Sequence, residues 1–172
     1  MKSLSKIVMA IVTLLSINLC IANAQTNQSP NELSTVFDKY FAVKDALVST
    51  NGKSAAEKAK GLTAAIKNVN MEKLTAEQHT VWMAVQKDLV EDAEHISETG
   101  DAKHQRDHFV TLSTAIYKLQ KVSKTETPVY YQFCPMANDG KGANWLSKEK
   151  PIKNPYYGSQ MMSCGKTVET IQ

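Results

Sequence analysis

The chain has 172 residues and a formal charge of +3, from 20 Lys and Arg against 17 Asp and Glu, with only three cysteines. The lysines are interleaved with Asp and Glu, so no basic arm or cluster supports binding to nucleic acid or to a membrane surface. The first residues carry Lys2 and Lys6, then an apolar run from Ile7 to Cys20, then Ala22-Asn23-Ala24 before Gln25. This pattern predicts a secretory signal peptide over 1–24. The apolar run is shorter than a spanning helix needs and no second one follows, so the mature chain is expected not to insert in a membrane. Asn18-Leu19 precede Cys20 where a small residue is expected before a lipidated cysteine, so lipidation is not expected. Removing 1–24 leaves roughly 150 residues, enough for one domain with a real core. The two lysines go with it and the formal charge falls from +3 to +1. Two cysteines, Cys134 and Cys164, remain.

After a polar leader over 25–28, residues 29–172 read as one domain. Ser29-Pro30-Asn31-Glu32 offers an N-cap, a proline at the first helical position and a capping glutamate, and predicts the start of a first helix. Leu33, Val36, Phe37, Tyr40, Phe41 and Leu47 follow at helical spacing, with Asn51-Gly52 as the expected stop. Ser54-Ala55-Ala56-Glu57 predicts a second start, leading into Ala59, Leu62, Ala65, Ile66 and Val69, with Gly61 as a local weakness. Thr75-Ala76-Glu77-Gln78 opens a third helix carrying Val81, Trp82, Val85, Leu89 and Ile96. Asp101 caps a fourth with Phe109, Leu112, Ile116 and Leu119 inward. Four amphipathic helices on short loops predict an all-α, up-down-up-down four-helix bundle over 29–127.

Pro128 ends the helical pattern, and 128–172 reads as an irregular wrap with short strands. Val129 to Phe133 is β-branched and aromatic, and Lys166 to Gln172 is similarly extended, so a strand pair between these flanks is expected to bring Cys134 near Cys164. Trp145, Leu146, Tyr156 and Tyr157 are expected to anchor the long intervening loop.

The chemistry of the chain concentrates in this wrap. Cys134-Pro135-Met136 stands at one end and Met161-Met162-Ser163-Cys164 at the other. Thiolate and thioether together select soft cations such as Cu(I) over hard ions that ask for oxygen. Two cysteines in an exported chain also suit a disulfide, with the methionines packing. Both readings stay open on spacing alone.

The strings C-P-M-A, G-A-N-W-L-S, I-x-N-P-Y-Y-G and M-x-x-C-G, running from Val129 to Ile171, resemble the C-terminal signature of the domain of unknown function 3347 (DUF3347) family. Gln105-Arg106, Phe109 and Leu112-Ser113 extend the likeness more loosely over the helices. The family's members occur as small exported proteins and as modules of periplasmic adaptors for copper and silver efflux. The resemblance implies a Cu(I) or Ag(I) role, with Cys134, Met136, Met161 and Cys164 at the matching positions and Met162 where another apolar residue is usual. It also implies a partner, a periplasmic efflux adaptor or another metal-handling protein.

Other candidate ligands sit on the helices. His104 and His108 are four apart on the fourth helix, and His79 with Met83 on the third, spacings that place each pair on one helical face. All four also fit the ordinary role of flanking surface residues, and His95 is expected to be solvated. Catalysis has little to stand on: there is no C-x-x-C, no G-x-S-x-G, no phosphate-binding glycine loop and no C-x-x-C-H for haem. The expectation is a non-enzymatic soft-metal module for sequestration or transfer to efflux. Its competitor is an interaction domain whose wrap is pinned by a Cys134–Cys164 disulfide.

Overall fold

The computed structural model describes residues 32–172. The expected signal peptide, the polar leader and the Ser29, Pro30 and Asn31 start signals lie outside the described residues. Four helices follow one another, α1 Ser34–Val48, α2 Gly52–Lys67, α3 Ala76–Glu98 and α4 Ala102–Lys121. Each packs chiefly against its neighbour in sequence. The apolar stripes read from the sequence form one core, in which Leu33, Val36, Tyr40, Leu47, Leu62, Leu89, Ile96, Phe109, Leu112, Ile116 and Leu119 are sealed from solvent.

Two helix starts are as the local signals require. Thr75 and Gln78 form a reciprocal capping box at α3, and the Asp101 carboxylate accepts from the Lys103 N–H at α4. Two differ. At α1, Leu33 occupies the cap position without a side-chain bond, and the Glu32 carboxylate instead accepts from the Asn70 N–H across the fold at 2.9 Å. At α2, the helix begins before the Ser54 box, because Asn51 itself caps it by accepting from the Ser54 N–H. Asn51-Gly52 therefore opens a helix rather than closing one. Gly52 is required by close approach: a Cβ there would lie 1.9 Å from the Gly100 carbonyl oxygen. The buried Gln105 amide seals this junction, donating to the carbonyls of Gly52, Ile96 and Thr99.

Gly61 sits inside α2 with nothing nearer than the Lys39 side chain at 3.6 Å, so a methyl group fits. Gly61→Ala is expected to stabilise the protein by about 0.5–1 kcal/mol through helix propensity. A urea midpoint that fails to rise would contradict this.

The C-terminal segment is more regular than a wrap with one strand pair. Three strands, β1 Val129–Cys134, β2 Ala143–Ser147 and β3 Lys166–Ile171, form an antiparallel sheet in the order β2-β1-β3. The expected pairing of β1 with β3 is present, running from Val129 opposite Ile171 to Phe133 opposite Lys166, with an irregularity between Tyr131 and Gln132. β2 is the addition. It pairs Cys134 with Ala143 and Tyr130 with Ser147, and it carries Trp145 and Leu146, both sealed from solvent. These two residues do anchor the segment, as does buried Tyr156, while Tyr157 is half-buried.

The sheet is fastened to the helices by a few polar contacts. Tyr40 of α1 pairs with Ser113 Oγ of α4 at 2.8 Å and accepts from the Leu146 N–H of β2 at 3.0 Å. Arg106 of α4 donates to the carbonyls of Pro155 and Leu47 and to Thr50 Oγ1. Tyr117 stacks on Tyr131 of β1 and donates to Glu169 of β3, which also pairs with Lys121. Among the described residues no helix is long and apolar enough to cross a membrane.

Candidate functional site

Strand pairing places the two cysteines. Cys134 ends β1, Cys164 lies just before β3, and the antiparallel register of these strands brings Cys134 Sγ and Cys164 Sγ to 3.1 Å with no bond between them. Cys134 is sealed from solvent and Cys164 is half-buried. Gly165 makes the approach possible. Its φ of 137° is a conformation that side chains avoid, and a Cβ would lie 2.7 Å from the Phe133 carbonyl oxygen.

Each cysteine sits on a tight turn. After Cys134, Asn138 and Asp139 take left-handed conformations, and Gly142 N–H donates to the Ala137 carbonyl at 2.9 Å, folding the chain back into β2. Before Cys164, the Cys164 N–H donates to the Met161 carbonyl at 3.1 Å. Asn154 clamps that second turn. It is fully buried, donates from its backbone N–H to Met162 O and from Nδ2 to Cys164 O, and accepts from the Tyr156 N–H. Asn154 was legible in the sequence only as a turn former, because its role depends on residues eight and ten positions away.

The two thiols are electrostatically unequal. Burial pushes the Cys134 thiol up, but hydrogen bonds from Cys164, the Met136 and Ala137 backbones and Asn154 together outweigh it and hold the thiol below its ordinary range. The hydrogen bond with Cys134, followed by burial, pushes the Cys164 thiol up. Of the pair, Cys134 is thus the thiol that gives up its proton more readily and Cys164 the one that holds it longer.

Met136 and Met161 flank the pair on its two turns. Met136 is 49% exposed, and its carbonyl accepts from the Tyr157 hydroxyl at 2.7 Å; Met161 is half-buried. Met162 is exposed, so it does not pack in the core as an apolar residue at that position would. Among the described residues no three His, Cys, Asp or Glu side chains are gathered as metal ligands. The two thiols, and the thioethers of the methionines on their turns, are donors of the kind that soft ions take in preference to oxygen.

The histidines lie elsewhere. His79 and Met83 are exposed on α3, with the Gln86 amide donating to Met83 Sδ. His104 is exposed on α4 and His108 is half-buried there, bonded through Nδ1 to Asp92 Oδ1 at 3.2 Å. The His95 side chain stays 45% exposed, as expected of a solvated residue, and its ring also stacks on His108 with centroids 4.5 Å apart. Burial pushes the Asp92 carboxyl above its ordinary range, against bonds from Thr111 and His108.

A family model described as a protein of unknown function, DUF3347, matches residues 36–127, just over half of the chain. The chain belongs to the DUF3347 family. The match spans the four helices and ends before β1, so the strings from Val129 onward that carried the strongest resemblance lie outside it. Within it fall Tyr40, Gln105, Arg106, Phe109 and Ser113, the residues that seal the helix junction and receive the C-terminal sheet. No curated protein and no solved structure matches the chain.

Proposed function

We propose that this DUF3347 protein is an exported module that holds Cu(I), or Ag(I) with the same softness, for sequestration or for transfer to a periplasmic efflux adaptor or another metal-handling protein. Its four helices run up-down-up-down as a scaffold, and the C-terminal sheet carries the site. The observation that supports this most is the meeting of Cys134 and Cys164 at 3.1 Å, with hydrogen bonds holding the Cys134 thiol below its ordinary range, on turns that each carry a methionine. Soft cations take thiolate and thioether donors, and the site offers little else.

The same proximity favours a second reading. Two thiolates on one tetrahedral ion, with metal–sulfur bonds of about 2.3 Å, stand about 3.8 Å apart. The observed 3.1 Å is shorter, and a disulfide at about 2.05 Å is within reach of small side-chain rotations. In that reading the sheet is a pinned interaction domain with no metal.

The two are separated by titrating the reduced protein with Cu(I) under anaerobic conditions against a competing chelator. Met136→Leu and Met161→Leu are each expected to weaken Cu(I) binding about tenfold while leaving the melting temperature of the oxidised protein within about 2 °C, since exposed or half-buried thioethers add little to packing. Unaltered Cu(I) competition in the double Leu variant would remove both methionines from the site.

A further inference from the structure

Helices α3 and α4 bring together three imidazoles that no single-helix pattern joins. His104 and His108 are one turn apart on α4, and His95 reaches them from α3. His95 stacks on His108 with centroids 4.5 Å apart and planes 14° from parallel, and His104 meets His108 edge-on at 4.8 Å. Imidazoles sharing one tetrahedral Zn²⁺ at about 2.0–2.1 Å have ring centroids about 5 Å apart, a spacing that the His95–His108 and His104–His108 pairs come near with His108 between the other two.

The carboxylates behind the rings give the arrangement a direction. His108 Nδ1 faces Asp92 Oδ1 at 3.2 Å, and Asp92 is in turn fixed by the Thr111 hydroxyl donating to its Oδ2 at 2.6 Å. His95 Nδ1 faces Glu98 Oε2 at 3.7 Å. An ionised carboxylate only accepts, so in the His108–Asp92 bond the proton sits on His108 Nδ1, whereas the His95–Glu98 contact is too long for a hydrogen bond. Metal-bound histidines show this same pattern, with the second ring nitrogen donating to a carboxylate that sets tautomer and orientation. Glu91, Glu94 and Glu98 line a surface groove together with His95 and Lys87, and Glu94 is itself paired with Lys67.

We propose that His95, His104 and His108 form a second metal site for a borderline divalent ion such as Zn²⁺, with Asp92 as the positioning residue. The imidazoles are stacked rather than converged among the described residues. Closing the site requires the exposed His104 and half-buried His95 rings to turn about their own side-chain torsions. The ion differs in class from the soft ion proposed for the cysteines, and the two sites stand or fall separately.

The test is titration of the full mature chain with Zn²⁺ alone, after Cys134→Ser and Cys164→Ser substitution, under a competing chelator. One Zn²⁺ per chain is expected, with affinity reduced tenfold or more in His95→Ala and in His108→Ala and about tenfold in Asp92→Asn. His79→Ala, on α3 outside the cluster, is expected to match its parent. The imidazole ¹⁵N spectrum should place the His108 proton on Nδ1 and lose that preference in Asp92→Asn, a change that a purely packing role for Asp92 does not produce. Should the serine variant fold poorly, the same histidine substitutions in the chain with both cysteines are expected to lower Zn²⁺ stoichiometry by one. Cu(I) competition by that chain should be unchanged by them. Zn²⁺ affinity or stoichiometry that is the same in His95→Ala, His108→Ala and His79→Ala overturns the proposal.

Discussion

Tyr40→Phe is expected to destabilise the protein by about 2–4 kcal/mol although it removes one oxygen atom and leaves the ring in place. The hydroxyl is fully buried and joins three elements, pairing with Ser113 Oγ of α4 at 2.8 Å and accepting from the Leu146 N–H of β2 at 3.0 Å. Burial pushes its ionisation well above the ordinary tyrosine range, so it stays a neutral hydroxyl at all working pH values. The ring packs parallel to Phe109 at 5.3 Å and edge-on to Phe41, and phenylalanine would keep both contacts. What is lost is the partner of the buried Leu146 N–H and one of the bonds to Ser113 Oγ, which also faces Tyr156; an unpaired buried group costs about 1–3 kcal/mol. Ser113→Ala should cost less, about 1 kcal/mol, because the Tyr40 hydroxyl keeps its bond from Leu146. The two single variants remove the same Tyr40–Ser113 bond, so the loss of stability in the double variant should fall short of the sum of the two. Thermal unfolding measures all three, and a Tyr40→Phe protein within about 0.5 kcal/mol of wild type would show that the hydroxyl does not hold the sheet to the helices.

Tyr40 also marks how far the sequence is legible. It reads as one more apolar residue on the α1 stripe, and its position in the core was foreseeable from that period alone. Its hydroxyl's partners were not, since they lie 73 and 106 residues away. Local signals fared well where the partners are local: the Thr75–Gln78 box and the Asp101 cap each involve side chains and amides within three residues. The start of α2 is an exception: Asn51 caps it through the Ser54 N–H, three residues on, but Asn51-Gly52 reads equally well locally as a helix stop, and the close approach of Gly52 to Gly100 is absent from its own neighbourhood. β2 was hidden for a similar reason. Ala143–Ser147 is five residues long and follows a glycine-containing turn, and only pairing with β1 makes it a strand. The cysteine pair was foreseeable because Val129–Phe133 and Lys166–Gln172 both look extended and flank it. The His95–His108 contact was not, because a helical wheel places His95 relative to α3 and says nothing of what α4 puts beside it.

Oxidation is expected to abolish Cu(I) binding and to stabilise the fold, because a cysteine in a disulfide has no thiolate for a metal. Closing Cys134 to Cys164 spans 30 residues, and the chain-entropy model gives about 3–4 kcal/mol for a loop of that size, or roughly 10 °C in melting temperature. The route follows from the unequal environments of the two sulfurs. Cys134 is sealed from solvent, so an external disulfide such as oxidised glutathione meets the half-buried Cys164 first. The Cys164 thiolate attacks one glutathione sulfur, releases the other as thiolate and forms a mixed disulfide. The Cys134 thiolate, 3.1 Å away, then attacks Cys164 Sγ and expels the second glutathione. Two protein thiols are oxidised and one glutathione disulfide is reduced to two thiols. Since Cys164 is held above the ordinary thiol range, the first step should accelerate as pH rises and its thiolate fraction grows. Cys134→Ser should therefore accumulate glutathione on Cys164, whereas Cys164→Ser, with only a buried sulfur left, should react slowly or not at all. Mass spectrometry distinguishes these products, and titration of the same samples with Cu(I) under a competing chelator tests the metal. Reduced wild type should bind, and the oxidised protein and the Cys134→Ser, Cys164→Ser variant should not. Equal competition for Cu(I) by reduced wild type and by that double variant would remove the metal from this site and leave the disulfide-pinned sheet as its account.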